Sequence, residues 1–300
     1  MNNLSRLQSI ALAIVVTIIW SFSWVLIKFG LQDDIPPLTF AGLRYSIAAL
    51  ILVVFTLASQ DRRQKLKQIN PSNLLSLTLL GLFFYTATQG LVFLSLDYLP
   101  AATFSLLLNF TPVVVMIGGV LFLQEIPNRS QYLGLALFLL GTIIYFIPTP
   151  QTLAIGLLIG VATMFANAIS SLLGRAINRR LEMDAFIVTV VSMGIGASLL
   201  LTVGLLLEGI PTISVQGWMI ILWLASVHTA LAFTLWNITL RVLSASESSI
   251  INNTMLVQTA VLAWLFLGEA LSARQVLALI IASIGIVVFQ LRKTSVRKSV

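Results

Sequence analysis

The chain alternates long stretches that carry no charge with short clusters that carry nearly all of it. Leu7–Ile27 is 21 residues without an acidic or basic side chain. Further uncharged runs are Tyr45–Gln60, Gln68–Leu96, Tyr98–Gln124, Ala185–Leu207, Gly209–Leu240, Ser248–Gly268 and Gln275–Leu291. A 45-residue run, Ser130–Gly174, is too long for one helix, and Pro148 and Pro150 break it. The runs are apolar throughout rather than at every second position, so they predict helices and not barrel strands. Most approach or exceed the roughly 20 residues that cross a bilayer core. Ten helices are predicted, near 8–28, 38–58, 73–95, 101–123, 131–147, 153–174, 185–207, 217–240, 246–267 and 275–291. The first is too long for the apolar core of a signal peptide and has no small-x-small site before Lys28, so it is expected to remain as a span.

Composition sharpens this into an all-α integral membrane protein. Charged residues make up 9% of the chain, against about 25% in a soluble globular protein. Mean hydropathy is +1.02. Cysteine is absent and His228 is the one histidine, which removes disulfides, thiolate chemistry and a histidine metal site. No cofactor is expected.

The net charge of +7 is a topology signal rather than a nucleic-acid footprint. Fourteen basic residues fall on the side that holds the N-terminus. They are Arg6, Arg62, Arg63, Lys65, Lys67, Arg129, Arg175, Arg179, Arg180, Arg241, Arg292, Lys293, Arg297 and Lys298. Arg274 stands alone on the other side, while Lys28 and Arg44 lie in or at the edge of helices facing it. Basic residues stay cytoplasmic, so both termini are expected inside a plasma membrane.

A shift of 144 aligns 98–145 with 242–289 without a gap, and thirteen of the 48 positions are identical. Paired Asn109/Asn253, Glu125/Glu269, Gln131/Gln275 and Gly141/Gly285 are costly to match by chance. The expected domains are repeats at 8–147 and 153–291, followed by a basic tail at 292–300. Each repeat holds five helices, an odd number, so the second must enter the membrane inverted. Inverted repeats are the architecture of alternating-access transporters, with the binding site near the midplane.

At this point the residues resemble a known family. Trp20-Ser21-x-Ser23-x4-Lys28 and Pro37-x2-Phe40-x3-Arg44 are similar to the opening of an EamA domain. Leu99-Pro100-Ala101-Ala102, Pro112, Glu125, Gly134 and Gly141 look like its later part. The chain resembles EamA proteins of the drug/metabolite transporter superfamily over about residues 10–290. The resemblance implies ten helices around a central cavity, efflux of small metabolites, often amino acids, and a peripheral last helix in each half. Ser244 and Leu256 replace Pro100 and Pro112 in the second repeat, so the halves are not functionally equivalent.

Candidate substrate contacts follow. Trp20, Trp24 and Lys28 share a helix face beside Thr17 and Ser21. They read as an aromatic wall leading to a cation, or as an interfacial anchor. Arg44 lies roughly 10 Å into its helix. A charge inside a span costs at least about 2.5 kcal/mol, so Arg44 either snorkels or faces water, a partner or a substrate carboxylate. Ser105, Asn109 and Pro112 share a face; their repeat mates are Ser249, Asn253 and Leu256, with Gln258 one turn beyond Asn253, and both sets could hold substrate or join helices. Tyr85, Gln89, Trp236 and Asn237 carry the same two readings. His228 sits mid-span, as a proton switch or a neutral bundle residue.

No acidic residue lies mid-span, which disfavours a carboxylate proton relay. Glu125 and Glu269 are expected to cap or gate helix ends. Gly156-x3-Gly160 is expected to pack helices within the bundle. No phosphate-binding loop occurs, so neither ATP drive nor an ATPase subunit is implied. A monomer or weak homodimer in the lipid bilayer is expected, with a small molecule as the other partner. The leading function is a secondary exporter of amino acids or related metabolites. Phosphorylated cargo such as a nucleotide sugar is the alternative. An intramembrane enzyme lacks residues to build it, and a scaffold would not need matched polar positions in both halves.

Overall fold

The computed structural model describes residues 5–111, 113, 114, 117, 128–146, 154–180, 184–239, 242, 243, 248 and 251–290. Among these no strand occurs. The helices are α1 (Arg6–Gln32), α2 (Pro37–Leu57), α3 (Gln60–Lys67), α4 (Pro71–Tyr98), α5 (Ala101–Leu108), α6 (Arg129–Phe146), α7 (Ala154–Arg180), α8 (Ala185–Glu208), α9 (215–239), α10 (Ile251–Leu267) and α11 (Ala273–Gln290). Six of them, α1, α2, α4, α6, α7 and α8, are long and apolar enough to cross a membrane. Val215–Leu231, Ile251–Leu267 and Ala273–Phe289 are shorter apolar helices. The chain is therefore a multi-pass, all-helical membrane protein.

Local chemistry explains where the helices begin. Ser5 and Gln8 form a reciprocal cap on α1: the Gln8 amide donates to Ser5 Oγ at 3.3 Å, and the Ser5 amide to Gln8 Oε1 at 2.8 Å. Pro37 and Pro71 occupy first positions, where a missing N–H costs nothing. Gly209 and Gly268 end α8 and α10 with φ of 80° and 67°.

Three results go beyond the sequence reading. First, the charged connection after α2 is itself helical. α3 is polar, and Lys65 on it bonds Asp61 at 2.7 Å and Asp184, the N-cap of α8, at 3.1 Å. Second, the helices expected at 101–123 and 246–267 are interrupted. Asn109 and Phe110 are turn residues, and so is Thr254. The Phe110 amide donates to Leu107 O and the Thr254 amide to Ile251 O, each three residues back, and these positions are related by the 144-residue shift. Pro112 has no N–H to continue the first of these helices. Third, α4 and α9 are not α-helical throughout, as described below.

Helices packed side by side meet through glycine. α6 and α11 run antiparallel. A Cβ on Gly141 would stand 2.6 Å from Ala278 O and from Ala282 N, and one on Gly285 would stand 2.8 Å from Gly134 O and from Phe138 Cα. Subtracting 144 from 278 and 282 gives 134 and 138. So Gly141 meets the mates of the residues that its own mate Gly285 meets, the reciprocity that a two-fold axis produces. α2 and α8 are likewise antiparallel, with Gly42 against Leu201 and Gly204 against Leu38 and Thr39. Gly156 and Gly160 pack on Tyr98, Leu99 and Leu107 inside the bundle, as the spacing predicts. Gly285→Leu would force these backbones apart. It is expected to destabilise the detergent-purified protein by about 1–3 kcal/mol, read as a fall in melting temperature.

The Lys65–Asp184 clamp has a defined pH window. Burial pushes the Asp184 carboxyl up, but the Lys65 ammonium and the Phe186 and Ile187 amides outweigh it and hold the group below its usual range. Hydrogen bonds to Asp61 and Asp184 hold Lys65 above its usual value. A lowered carboxyl stabilises above its unfolded pKa of about 3.9, and that contribution disappears as pH falls through the lowered value. The raised lysine contributes below its unfolded pKa of about 10.4 and stops as pH rises past its folded value. Asp184→Asn is therefore expected to lower thermal stability slightly at pH 7, by an amount that shrinks as pH falls from about 3.9 through the lowered value of the folded protein. Melting curves of both proteins across that range check it.

Candidate functional site

Two helices change their pitch at related places. Gly81–Thr88 of α4 and Leu224–Leu231 of α9 are π-helical, each 8 residues long. A shift of 143 superposes the two segments, one residue from the shift that relates the helices after them. In both, a threonine hydroxyl donates to the carbonyl five residues earlier: Thr88 to Phe83 O at 2.7 Å and Thr229 to Leu224 O at 3.1 Å. The wider turn re-aims the side chains it carries and is enriched at functional sites. The same shift pairs Tyr85 with His228, and both are buried.

Around these segments the structure gathers six of the residues singled out from the sequence. Arg44 of α2 is 5% exposed, so it does not snorkel to the surface. Its Nε donates to Thr229 Oγ1 at 3.4 Å. Its guanidinium carbon lies 5.0 Å from the Tyr45 ring centroid and 5.9 Å from that of Phe93. The Tyr45 hydroxyl donates to Gln89 Oε1 at 2.7 Å, and the Tyr45 and Tyr85 rings meet edge to face at 5.8 Å. His228, next to Thr229, stacks beside Phe22 with ring centroids 6.5 Å apart. Its Nδ1 is buried with no hydrogen-bond partner. Its backbone carbonyl accepts from Trp20 Nε1 at 3.1 Å. Trp20 then packs on Phe233 and Trp236 at 5.3 and 5.2 Å. The result is an aromatic wall on α1 and α9 that continues into a cation on α2 and an amide on α4.

The other candidates make contacts of their own. Gln258 joins α10 to α1: its Nε2 donates to Thr17 Oγ1 at 3.2 Å and to Thr254 Oγ1 at 2.9 Å, and its Oε1 accepts from Ser21 Oγ at 3.1 Å. Trp24 packs on Phe104 at 4.9 Å, a core contact. Asn109 Nδ2 donates to Ser105 O of its own helix at 2.8 Å, and the residue borders a small gap with Phe138, Ile286 and Phe289 on the α6–α11 side. Asn253 Nδ2 is buried without a partner. The side chain of Asn237, like all of Glu125, lies outside the described residues.

The bundle end opposite the N-terminus is tied by carboxylates. Glu269 Oε1 and Oε2 accept from the Ala101 and Ala102 amides at 2.9 and 3.4 Å, capping α5. Lys28 is half-buried in the field of Glu269 and Asp97. Glu208, which the sequence reading missed, does the same for α2: Oε1 and Oε2 accept from the Leu38 and Thr39 amides at 2.9 and 2.7 Å. Ser214, the N-cap of α9, donates to Asp33 at the end of α1. Unpaired amides and the helix dipole both favour an anion at a helix start. The visible signal for Glu208 was a carboxylate at the end of one span and a proline-led helix elsewhere, 170 residues apart for Leu38. A separate apolar cleft of about 310 Å³ lies between α10 and α11, lined by Val261, Trp264, Val276 and Ile280, and carries no polar chemistry.

Comparison with known proteins agrees with a transporter. The pattern of the EamA-like transporter family matches residues 7–147 and 154–291. "Uncharacterized transporter YoaV" of Bacillus subtilis (strain 168) is 27% identical over 90% of this chain and 92% of its own length. A "Probable amino-acid metabolite efflux pump" of Salmonella typhimurium is 26% identical over 95% of this chain and 96% of its own. One of the same name from Escherichia coli (strain K12) is 26% identical over 75% of each. A solved crystal structure aligns with a TM-score of 0.67 at 18% identity, covering 95% of this chain and 98% of that one, which supports the fold alone.

Proposed function

We infer function from one premise: this chain belongs to the EamA-like transporter family, whose pattern matches both of its halves. Family and relatives indicate a transporter rather than an enzyme. The proposed function is secondary export of small metabolites, amino acids or related compounds, by alternating access. The proposed architecture is ten spans in two inverted five-helix repeats, with both termini cytoplasmic in the plasma membrane. One observation carries the reading. Repeat-related helices are modified alike, with π segments at matching places in α4 and α9 and reciprocal glycine contacts between α6 and α11. An inverted pair of hinged helices gives two mirror-related closures around one site. The efflux-pump names of two relatives at 26% identity support the direction and the cargo class.

On this reading, the end tied by Glu208, Glu269 and Asp33 is the outer face, and it is closed. Cargo reaches Arg44, Tyr85 and His228 from the cytoplasm, and release outward requires those caps to part. Purified protein in liposomes should show saturable uptake of amino acids that unlabelled substrate on the opposite side accelerates. Unsaturable flux, or flux indifferent to substrate on the far side, would contradict alternating access.

A further inference from the structure

Resting on that transporter reading, we propose that Arg44 is a carboxylate receptor, so that the cargo is a small organic acid or amino acid gripped through its carboxylate. The guanidinium lies in the membrane-spanning part of α2 and is almost fully buried. It has five N–H donors. One of them, on Nε, reaches Thr229 Oγ1 at the long distance of 3.4 Å. Among the described residues no other acceptor takes a hydrogen bond from it, and no carboxylate lies within 4.0 Å; the ion pairs found there belong to Lys65. Its neighbours Tyr45 and Phe93 offer ring faces, which attract a cation without accepting its fork of donors.

A buried guanidinium that served packing alone would be expected to have a counter-charge and satisfied donors. Among the described residues this one has no carboxylate within 4.0 Å and one long hydrogen bond, and its planar fork matches the two oxygens of a carboxylate. The groups nearby fit the same ligand. His228 Nδ1, on the residue beside Thr229, is buried and unpartnered. Gln89 spends its oxygen on the Tyr45 hydroxyl, which leaves its amide N–H groups as donors. Trp20, Phe233 and Trp236 stand beyond His228 as a surface for a side chain. A single cation suits a monocarboxylate; a phosphate monoester, near two negative charges at neutral pH, would need a second one.

The test melts purified full-length protein in detergent with each of the twenty amino acids and with pyruvate and benzoate. For every compound that stabilises it, the uncharged amide is then compared. At least one acid should raise the melting temperature, its amide should not, and Arg44→Gln should weaken that acid at least tenfold. Arg44→Gln removes an uncompensated charge, so its ligand-free melting temperature should not fall. Arg44→Lys, which keeps the charge and loses the fork, should bind more weakly than wild type and more tightly than Arg44→Gln, and it serves if the glutamine variant does not fold. Equal stabilisation by acid and amide, unchanged binding in both variants, or no stabilisation by any acid would overturn the proposal. Saturable liposome exchange confined to compounds without a carboxylate would remove this proposal and keep the transporter reading. No saturable exchange of any compound would remove the transporter reading itself.

Discussion

Glu208→Ala combined with Glu269→Ala is expected to open the outer face. The two carboxylates accept four amide hydrogen bonds from the starts of α2 and α5, at 2.9, 2.7, 2.9 and 3.4 Å. Losing an N-cap costs about 0.5–2 kcal/mol, and the charge at a helix start adds to it. Two such losses total roughly 2–3 kcal/mol, a shift of about 30- to 150-fold between closed and open forms. The chain has no cysteine, so a single introduced thiol reports without background. Ala41 is fully buried on α2, one turn below the Glu208 cap. Ala41→Cys should react slowly with a membrane-impermeant maleimide in otherwise wild-type protein, and at least 30-fold faster in the double variant. Equal rates would mean that the caps hold helix ends without closing anything. Each single variant should lie between the two, because the caps sit on different helices.

A one-residue deletion in the π segment of α4 should abolish transport while leaving the protein in the membrane. A π turn accommodates one residue more than an α turn, so removing Phe83 restores ordinary pitch across 81–88. An α-helix turns by about 100° per residue and the wider π turn by less, so the return to α pitch rotates Tyr85 out of its alignment with Gln89, four residues on. Tyr85 packs edge to face on Tyr45 at 5.8 Å, and Tyr45 holds Gln89 at 2.7 Å, so both contacts depend on that register. Transport should fall by at least about a hundredfold, the cost of roughly 2.7 kcal/mol of lost positioning. Deleting one residue outside the π segments, at Leu75 on the exposed face of α4, is the control for folding. Liposome flux at matched protein abundance makes the comparison. Retained flux in the π deletion would mean that the altered pitch is incidental.

Six of the expected spans, α1, α2, α4, α6, α7 and α8, are readable in the sequence because lipid enforces them. A backbone without water must close its hydrogen bonds locally, and a chain with so few charges has little else to become. The antiparallel pairing of α6 with α11 was latent in the repeat at Gly141 and Gly285. The π segments were not readable. Gly81-Leu-Phe-Phe-Tyr-Thr-Ala-Thr88 has the composition of any apolar helix turn, and the extra residue shows only when both flanks are packed. The sequence leaves Arg44 between snorkelling and an interior role because depth along a helix does not say which face is inward. Packing decided it. Asn109 and Asn253 drew attention as a matched pair, yet Asn109 spends its amide on its own helix and borders the α6–α11 side. Sequence symmetry reports common descent, and the two halves have since diverged at Pro112 and Leu256. Glu208 was missed because its partners, Leu38 and Thr39, are adjacent only in space.

The most direct test of the account is the medium around living cells. Cells overproducing the protein, cells overproducing Trp20→Ala at equal abundance, and cells with neither are grown alike, and their spent media are compared by untargeted mass spectrometry. Trp20 joins α1 to α9 through His228 O at 3.1 Å and forms the aromatic wall, so its loss should disable the site without emptying the membrane of protein. One or a few carboxylate-bearing metabolites, amino acids foremost, should rise outside the wild-type cells alone. Identical media from all three, or a rise that persists in Trp20→Ala, would contradict an exporter built around this site.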